Sequence, residues 1–307
     1  MNRAVPVRGL RLPGSSPGQA QAAMTVTLGF LIRFYGGVEM TTVNDVFKFI
    51  DTIAPVKMKM EFDNVGFLVG RGEAELKKIL VSLDVTSDAI EEASDIGAGL
   101  IVSHHPMFFS LKSVTDADTT GKKIVQMLSR GIAAICMHTN LDAARGGVND
   151  VLAAKIGISR EGEPAEMLVE NEGALDTGET FSYGMIGRLA APTPMQDFMA
   201  AVKKALGVGM LRYHDSGHDV SRVAIVGGSG GNYFDKAVAR GCDTFLTADI
   251  KYDNFLEAKE LGINLIDADH FCTENVVIAP LAEKLQAAFP EIDVRVSGKH
   301  GPTVKFY

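Results

Sequence analysis

Short apolar runs, each closed by a glycine, a proline or a polar residue, alternate with helical periodicity along most of this chain. Ile79–Leu83, Leu100–Val102 and Ile132–Met137 are too short for helices and are rich in β-branched residues, so they read as buried strands. Before them, Val43, Val46, Phe47, Phe49 and Ile50 recur at helical spacing up to Pro55. Asp88–Ile96 ends at Gly97, Gly121–Ser129 follows, and Asn149–Ile156 ends at Gly157. The same plan resumes further on, with strands at Gly184–Leu189, Val223–Val226, Thr244–Thr247 and Ile263–Ile266. Helical segments lie at Met195–Leu206, Tyr252–Leu261 and Glu274–Ala287. Strand–helix alternation with short turns predicts an α/β fold with largely parallel strands. Residues 159–182 interrupt it with an acidic, Gly-rich stretch that suits a loop, an edge hairpin or a lobe boundary. The expectation is two α/β lobes packed together, 40–158 and 183–307, joined by an acidic linker at 159–182.

Composition narrows the function. The 307 residues carry a formal net charge of -8 and no basic run, which argues against gripping nucleic acid. No apolar run approaches a membrane span of roughly 18 residues. Cys136, Cys242 and Cys272 are scattered and lack Cys-x-x-Cys spacing, which points to a reducing, cytoplasmic setting. The first 39 residues stand apart, with four arginines and no acid before Glu39. A signal peptide fits them poorly and a mitochondrial transit peptide somewhat better. The favoured reading is a translated upstream stretch, with the protein proper starting at Met40.

Three polar clusters each follow a predicted buried strand. His104-His105-Pro106 comes after Leu100–Val102, His138-Thr139-Asn140-Leu141-Asp142 after Ile132–Met137, and Asp269-His270 through Glu274 after Ile263–Ile266. Open α/β sheets bind ligands at the carboxyl ends of their strands. Neighbouring side chains on extended backbone point to opposite sides, so His104 and His105 suit two ions side by side better than one. Asp142 offers a hard oxygen ligand. His270 and Glu274, four apart, share a helical face, and a carboxylate such as Glu274 can bridge two ions. Each cluster alone also has a structural reading: exposed loop histidines, a capping Asp or Asn, a polar helix start. Taken together, three histidines with one Asp and one Glu suit Zn, Fe, Mn or Co rather than calcium. His138 is the candidate for proton transfer or for orienting a ligand. His214 and His218 read as a solvated turn, and His300 as a surface residue. Gly227–Gly231 is first a tight turn and second a phosphate cradle, with Gly228 and Ser229 as anion contacts and Lys251 beside them.

Together these segments resemble the GTP cyclohydrolase 1 type 2 family, also called NIF-three-like dinuclear metal proteins. The resemblance runs in order through Asp63-Asn64-Val65-Gly66, Ser82–Thr86, Ser103–Pro106, His138–Asp142, Gly146–Asp150, Gly227–Gly230 and Asp269–Glu274. It implies a two-lobe protomer, a ring-shaped homohexamer, and a site between the lobes for two divalent metal ions. By matched position the ligands are His104, His105, Asp142, His270 and Glu274. It also implies a metal-dependent hydrolase acting on a nucleotide or related small molecule. A non-catalytic metal-binding or partner-binding scaffold is the alternative. Two positions depart from the family: Asp253 stands where a histidine is usual, and Asp269 where glycine is.

Overall fold

A computed structural model describes residues 40–160, 167–174, 180–305 and 307 of the chain. The upstream stretch, residues 1–39, lies outside the described residues. Two sheets organise the rest. The first runs in the order β1 (Gly66–Val69), β4 (Ala133–Cys136), β3 (Leu100–Ser103), β2 (Lys78–Ser82), β12 (Asp293–Val296). All its pairings are parallel except β1 against β4. The second places β9 (Val220–Ser229), β10 (Thr244–Ala248) and β11 (Asn264–Asp267) in parallel at its centre. Antiparallel strands flank that centre: β7 (Thr180–Thr193) on one side and β8 (Arg212–His214) on the other. This is the α/β class expected from the strand–helix alternation.

Period-two alternation in the strands builds two apolar layers on each sheet. Ile79, Val81, Leu100, Val102, Ala133 and Ile135 face a core shared with the helices Val43–Ile53 and Ile278–Ala288. Leu80, Ile101 and Ala134 face the opposite way, toward the helices Ser87–Ile96 and Thr119–Ser129. Leu100, Ile101 and Val102 are fully buried, and each such side chain contributes roughly 1.5–3 kcal/mol. Strands buried on both faces must be apolar throughout, which explains why the runs in the sequence do not alternate with polar residues. The second sheet repeats the scheme, with Val223, Ile225, Leu246 and Ile266 on one face and Ala224, Val226, Phe245 and Leu265 on the other.

Several boundaries differ from those read in the sequence. Of the readings given to the stretch 159–182, the antiparallel edge pairing is the one observed rather than a linker: β5 (Ser159–Arg160) and β6 (Met167–Ala174) both pair with β7. Its glycines and acids hide strand character because the hairpin lies at a sheet edge. The segment 183–307 serves both sheets, since β12 returns to pair with β2 of the first. The helix expected over Glu274–Ala287 is broken into His270–Glu274, a 3-10 turn Asn275–Val277, and Ile278–Ala288. His214 lies on edge strand β8 rather than in a turn. No helix among the described residues is long and apolar enough to cross a membrane.

Candidate metal centre

The carboxyl ends of the parallel strands in both sheets carry the polar clusters. β2 leads to Asp84, β3 to His104 and His105, and β4 to His138 and the short helix Thr139–Ala143 with Asp142. β10 leads to Asp249, and β11 to the helix His270–Glu274. After β3 the chain stays in register only through Leu83, whose carbonyl accepts from the amides of His104 and His105 at 3.2 and 2.9 Å. That pairing sets His105 beside Asp84.

The five residues expected as ligands come together. Glu274 sits at their centre: Oε1 is 3.6 Å from His104 Nε2, and Oε2 is 2.8 Å from His105 Nε2 and 3.0 Å from His270 Nε2. His104 Nε2 is also 3.6 Å from Asp142 Oδ1. Two groups of three, His105–His270–Glu274 and His104–Asp142–Glu274, each bring their donor atoms within 4.8 Å of one another, and Glu274 is common to both. His104, His105 and His138 form a third such group.

These side chains fit divalent cations better than they fit each other. Both nitrogens of His104, Asp142 Oδ1 and Glu274 Oε2 are buried without a hydrogen-bond partner among the described residues. Glu274 Oε2 is within reach of two ring nitrogens, so it fails on direction rather than distance. The ring nitrogens of His105 and His270 face each other at 3.3 Å. Each orphaned buried group costs about 1–3 kcal/mol, a penalty that a shared cation removes.

Aspartates orient the rings from behind. Asp84 Oδ1 lies 2.7 Å from His105 Nδ1, and Asp249 Oδ2 lies 2.7 Å from His270 Nδ1. Asp63 Oδ1 lies 3.0 Å from His138 Nδ1, close enough to pair although the ring N–H points off the oxygen. A carboxylate only accepts, so the rings of His105 and His270 carry a proton on Nδ1 and turn Nε2 inward. Burial alone would raise Asp63, but bonds from His138 and Thr139 bring it down to about 2. Burial likewise opposes ionisation of Asp84, and hydrogen bonds from His105 and His300 overcome it, holding the carboxyl far below its usual range. The bond from His270 lowers Asp249. Glu274 is held well below the carboxylate range by His104, His105 and His270, against its burial. Asp142 is raised by burial, and Tyr183 donates its hydroxyl to Oδ2 at 3.0 Å.

Burial would lower His105, but Asp84 and Glu274 raise it to about 9, and Asp249 and Glu274 likewise raise His270 to about 10. Protein stripped of metal is therefore expected to hold both protons at neutral pH. Both folded values lie above the unfolded reference of about 6.5. The stabilisation is thus fully present below that pH and is lost as pH rises through 9 to 10. Stripped protein should melt at progressively lower temperature across that window. Adding metal at pH 7 should expel protons, read by calorimetry in two buffers of different ionisation heat. A flat melting profile with no proton release would refute the assignment.

The anion-contact residues behave differently from the ligands. Gly228 donates its amide to Thr273 Oγ1 at 3.0 Å and has a φ of +65°, so that amide is not open to a phosphate. A Cβ at Gly228 would lie 1.9 Å from Glu274 Oε1, so the glycine is there to let the carboxylate approach. Ser229 and Lys251 are exposed, and it is Asp249, two residues before Lys251, that reaches the cluster. Asp253 is exposed on the helix Tyr252–Leu261. Asp269 has a φ of +68°, a conformation that favours glycine, and its side chain caps the helix by accepting from the Cys272 amide at 2.9 Å. His300 is not a surface residue: its side chain is 8% exposed, and Nε2 lies 2.8 Å from Asp84 Oδ2. Beside His105 and His270 opens a cavity of about 300 Å³, walled by Met210, Arg212, Phe271 and Val304.

The family model described as Duf34/NIF3 (NGG1p interacting factor 3) matches residues 41–301. The chain belongs to the Duf34/NIF3 family. A relative from Clostridium perfringens, named "GTP cyclohydrolase 1 type 2 homolog", is 35% identical over 80% of this chain and 91% of its own length. One of the same name from Clostridium acetobutylicum is 32% identical over 82% of this chain and 92% of its own. The crystal structure of a Staphylococcus aureus hypothetical protein superposes with a TM-score of 0.79 at 27% identity, covering 88% of this chain and all of that one. A Bacillus cereus protein described as related to NIF3 gives 0.80 at 22% identity, covering 88% and 100%, which supports the fold.

Proposed function

We propose that this Duf34/NIF3 protein holds two divalent metal ions through His104, His105, Asp142, His270 and Glu274. On this reading it is a cytoplasmic, homohexameric metal-dependent hydrolase acting on a nucleotide or related small molecule. The observation that carries the metal reading is the meeting of two donor groups at Glu274, with buried donor atoms that lack a hydrogen-bond partner among the described residues. The name of the Clostridium relatives supports a cyclohydrolase-like activity. Zn, Fe, Mn and Co all suit these imidazole and carboxylate donors. Ions bound there would supply electrophilic polarisation and water activation.

The chain's own residues provide the rest. Asp63, kept ionised by His138 and Thr139, lies 3.0 Å from His138 Nδ1. That leaves His138 Nε2 on the side of His104 and His105 to accept and return a proton. The cavity beside His105 and His270 admits the substrate's reacting end, and its volume is at the small end of ligand pockets.

Elemental analysis of protein purified without added metal should give two ions per chain, and sedimentation should give a hexamer. A nucleotide screen that includes GTP should then yield a defined product. His138→Gln should lower turnover by about 10²–10⁴-fold while leaving the metal content unchanged. Metal-dependent capture of a partner without turnover would favour the scaffold instead, and no metal after reconstitution would end both readings.

A further inference from the structure

The tail from Ser297 onward supplies no ligand in the proposal above, yet it packs against the metal cluster. β12 runs beside β2, and the tail is then fastened to the helix Ser87–Ile96. Glu92 accepts from the Ser297 hydroxyl at 2.5 Å, from the Gly298 amide at 2.9 Å and from the Lys299 amide at 3.2 Å. Lys299 Nζ reaches Asp95 at 3.0 Å. These bonds deliver the His300 ring to a buried position against Phe271, with centroids 5.5 Å apart, one residue from His270. From there Nε2 meets Asp84 Oδ2 at 2.8 Å, while Asp84 Oδ1 meets His105 Nδ1 at 2.7 Å.

We infer that His300 is a positioning residue for the metal site, acting through Asp84 on His105. The inference rests on the metal reading given above. Asp84 has a short side chain that is 37% exposed, so one bond to His105 leaves its second oxygen free to swing toward water. A donor on Oδ2 fixes the plane of the carboxylate. With that plane fixed, Oδ1 holds the His105 ring at the angle that aims Nε2 at Glu274. Outer partners of metal-bound imidazoles fix tautomer and direction in this way. The effect falls on the His105–His270–Glu274 group and spares His104–Asp142–Glu274, whose other members have no contact with Asp84 among the described bonds.

The test is titration of the stripped full-length protein with Co²⁺, followed by visible absorption and by competition with a chelator. Wild type, His300→Ala and His300→Gln are compared. His300→Ala should bind one of the two ions about tenfold more weakly, the low end of what removing such outer partners costs, with that ion's absorption band shifted. The other ion should bind as in wild type. His300→Gln should recover most of the affinity, because its Nε2 lies the same number of bonds from Cα and donates to the same oxygen. Unchanged titration in His300→Ala would overturn the inference. Equal weakness in both variants would overturn it too, because the loss would then come from packing of the tail. Wild type that binds no Co²⁺ would instead defeat the metal reading and this inference with it.

Discussion

Glu274→Ala is expected to empty both proposed metal positions at once, whereas His270→Ala should leave one ion per chain. Glu274 belongs to both donor groups, with one oxygen toward His104 and the other toward His105 and His270. His270 belongs to only one. Elemental analysis of the two variants beside wild type reads the difference directly. Equal loss in both would mean that the carboxylate does not join the groups. The substitution also acts without metal. It removes one of the two carboxylates that raise each of His105 and His270, the other being Asp84 for His105 and Asp249 for His270. Breaking a buried pair of this kind costs about 3–5 kcal/mol, so stripped Glu274→Ala should melt well below stripped wild type.

Gly228→Ala is expected to do comparable damage with a single methyl group. The new Cβ would lie 1.9 Å from Glu274 Oε1 and 3.3 Å from His270 Nε2. Glu274 is buried and cannot retreat without leaving its histidines. The position also has a φ of +65°, which adds backbone strain. Gly262→Ala is the matched control, with the same φ of +65° and nothing within 4 Å of its Cβ. Overpacking costs about 1–3 kcal/mol beyond the backbone penalty, so Gly228→Ala should be that much less stable than the control. It should also bind both ions more weakly, while Gly262→Ala binds them normally. Equal behaviour of the two variants would show that the glycine serves the turn and not the carboxylate.

The parallel strands and the clusters at their ends were legible because strands buried on both faces leave unbroken apolar runs, and the chain changes character abruptly where they stop. His104 and His105 stand out for that reason. The edge strands were legible only in part: an edge hairpin was one of the readings of 159–182, and β8 read as a turn. β6 and β8 pair on one side only, so their residues are mixed and carry glycine, acids and histidine. Of the aspartates behind the histidines, Asp63 and Asp84 stand in the matching segments without a role, and Asp249 stands in none. Asp63, Asp84 and Asp249 lie 75, 21 and 21 residues from the rings they hold, and no spacing rule spans such distances. One signal was available: Asp84 and Asp249, like the histidines, directly follow the end of a buried strand. The departure at Asp269 has a local account. Its positive φ is where glycine serves a family best, and the carboxylate offsets the strain by capping the helix that carries His270 and Glu274.

The return of the final strand to the first sheet has a consequence for how the molecule is made. β12 and His300 close loops of about two hundred residues, back to Lys78 and Asp84. Chains emerge from the ribosome at about 5–20 residues per second, so the earliest and latest parts of this centre are separated by many seconds of synthesis. A nascent chain that has released His104 and His105 still lacks Glu274, and one that has released Glu274 still lacks the latch on Asp84. On the proposed metal reading, a chain that stops before Glu274 holds neither ion, and one that stops between Glu274 and His300 holds one of them more loosely.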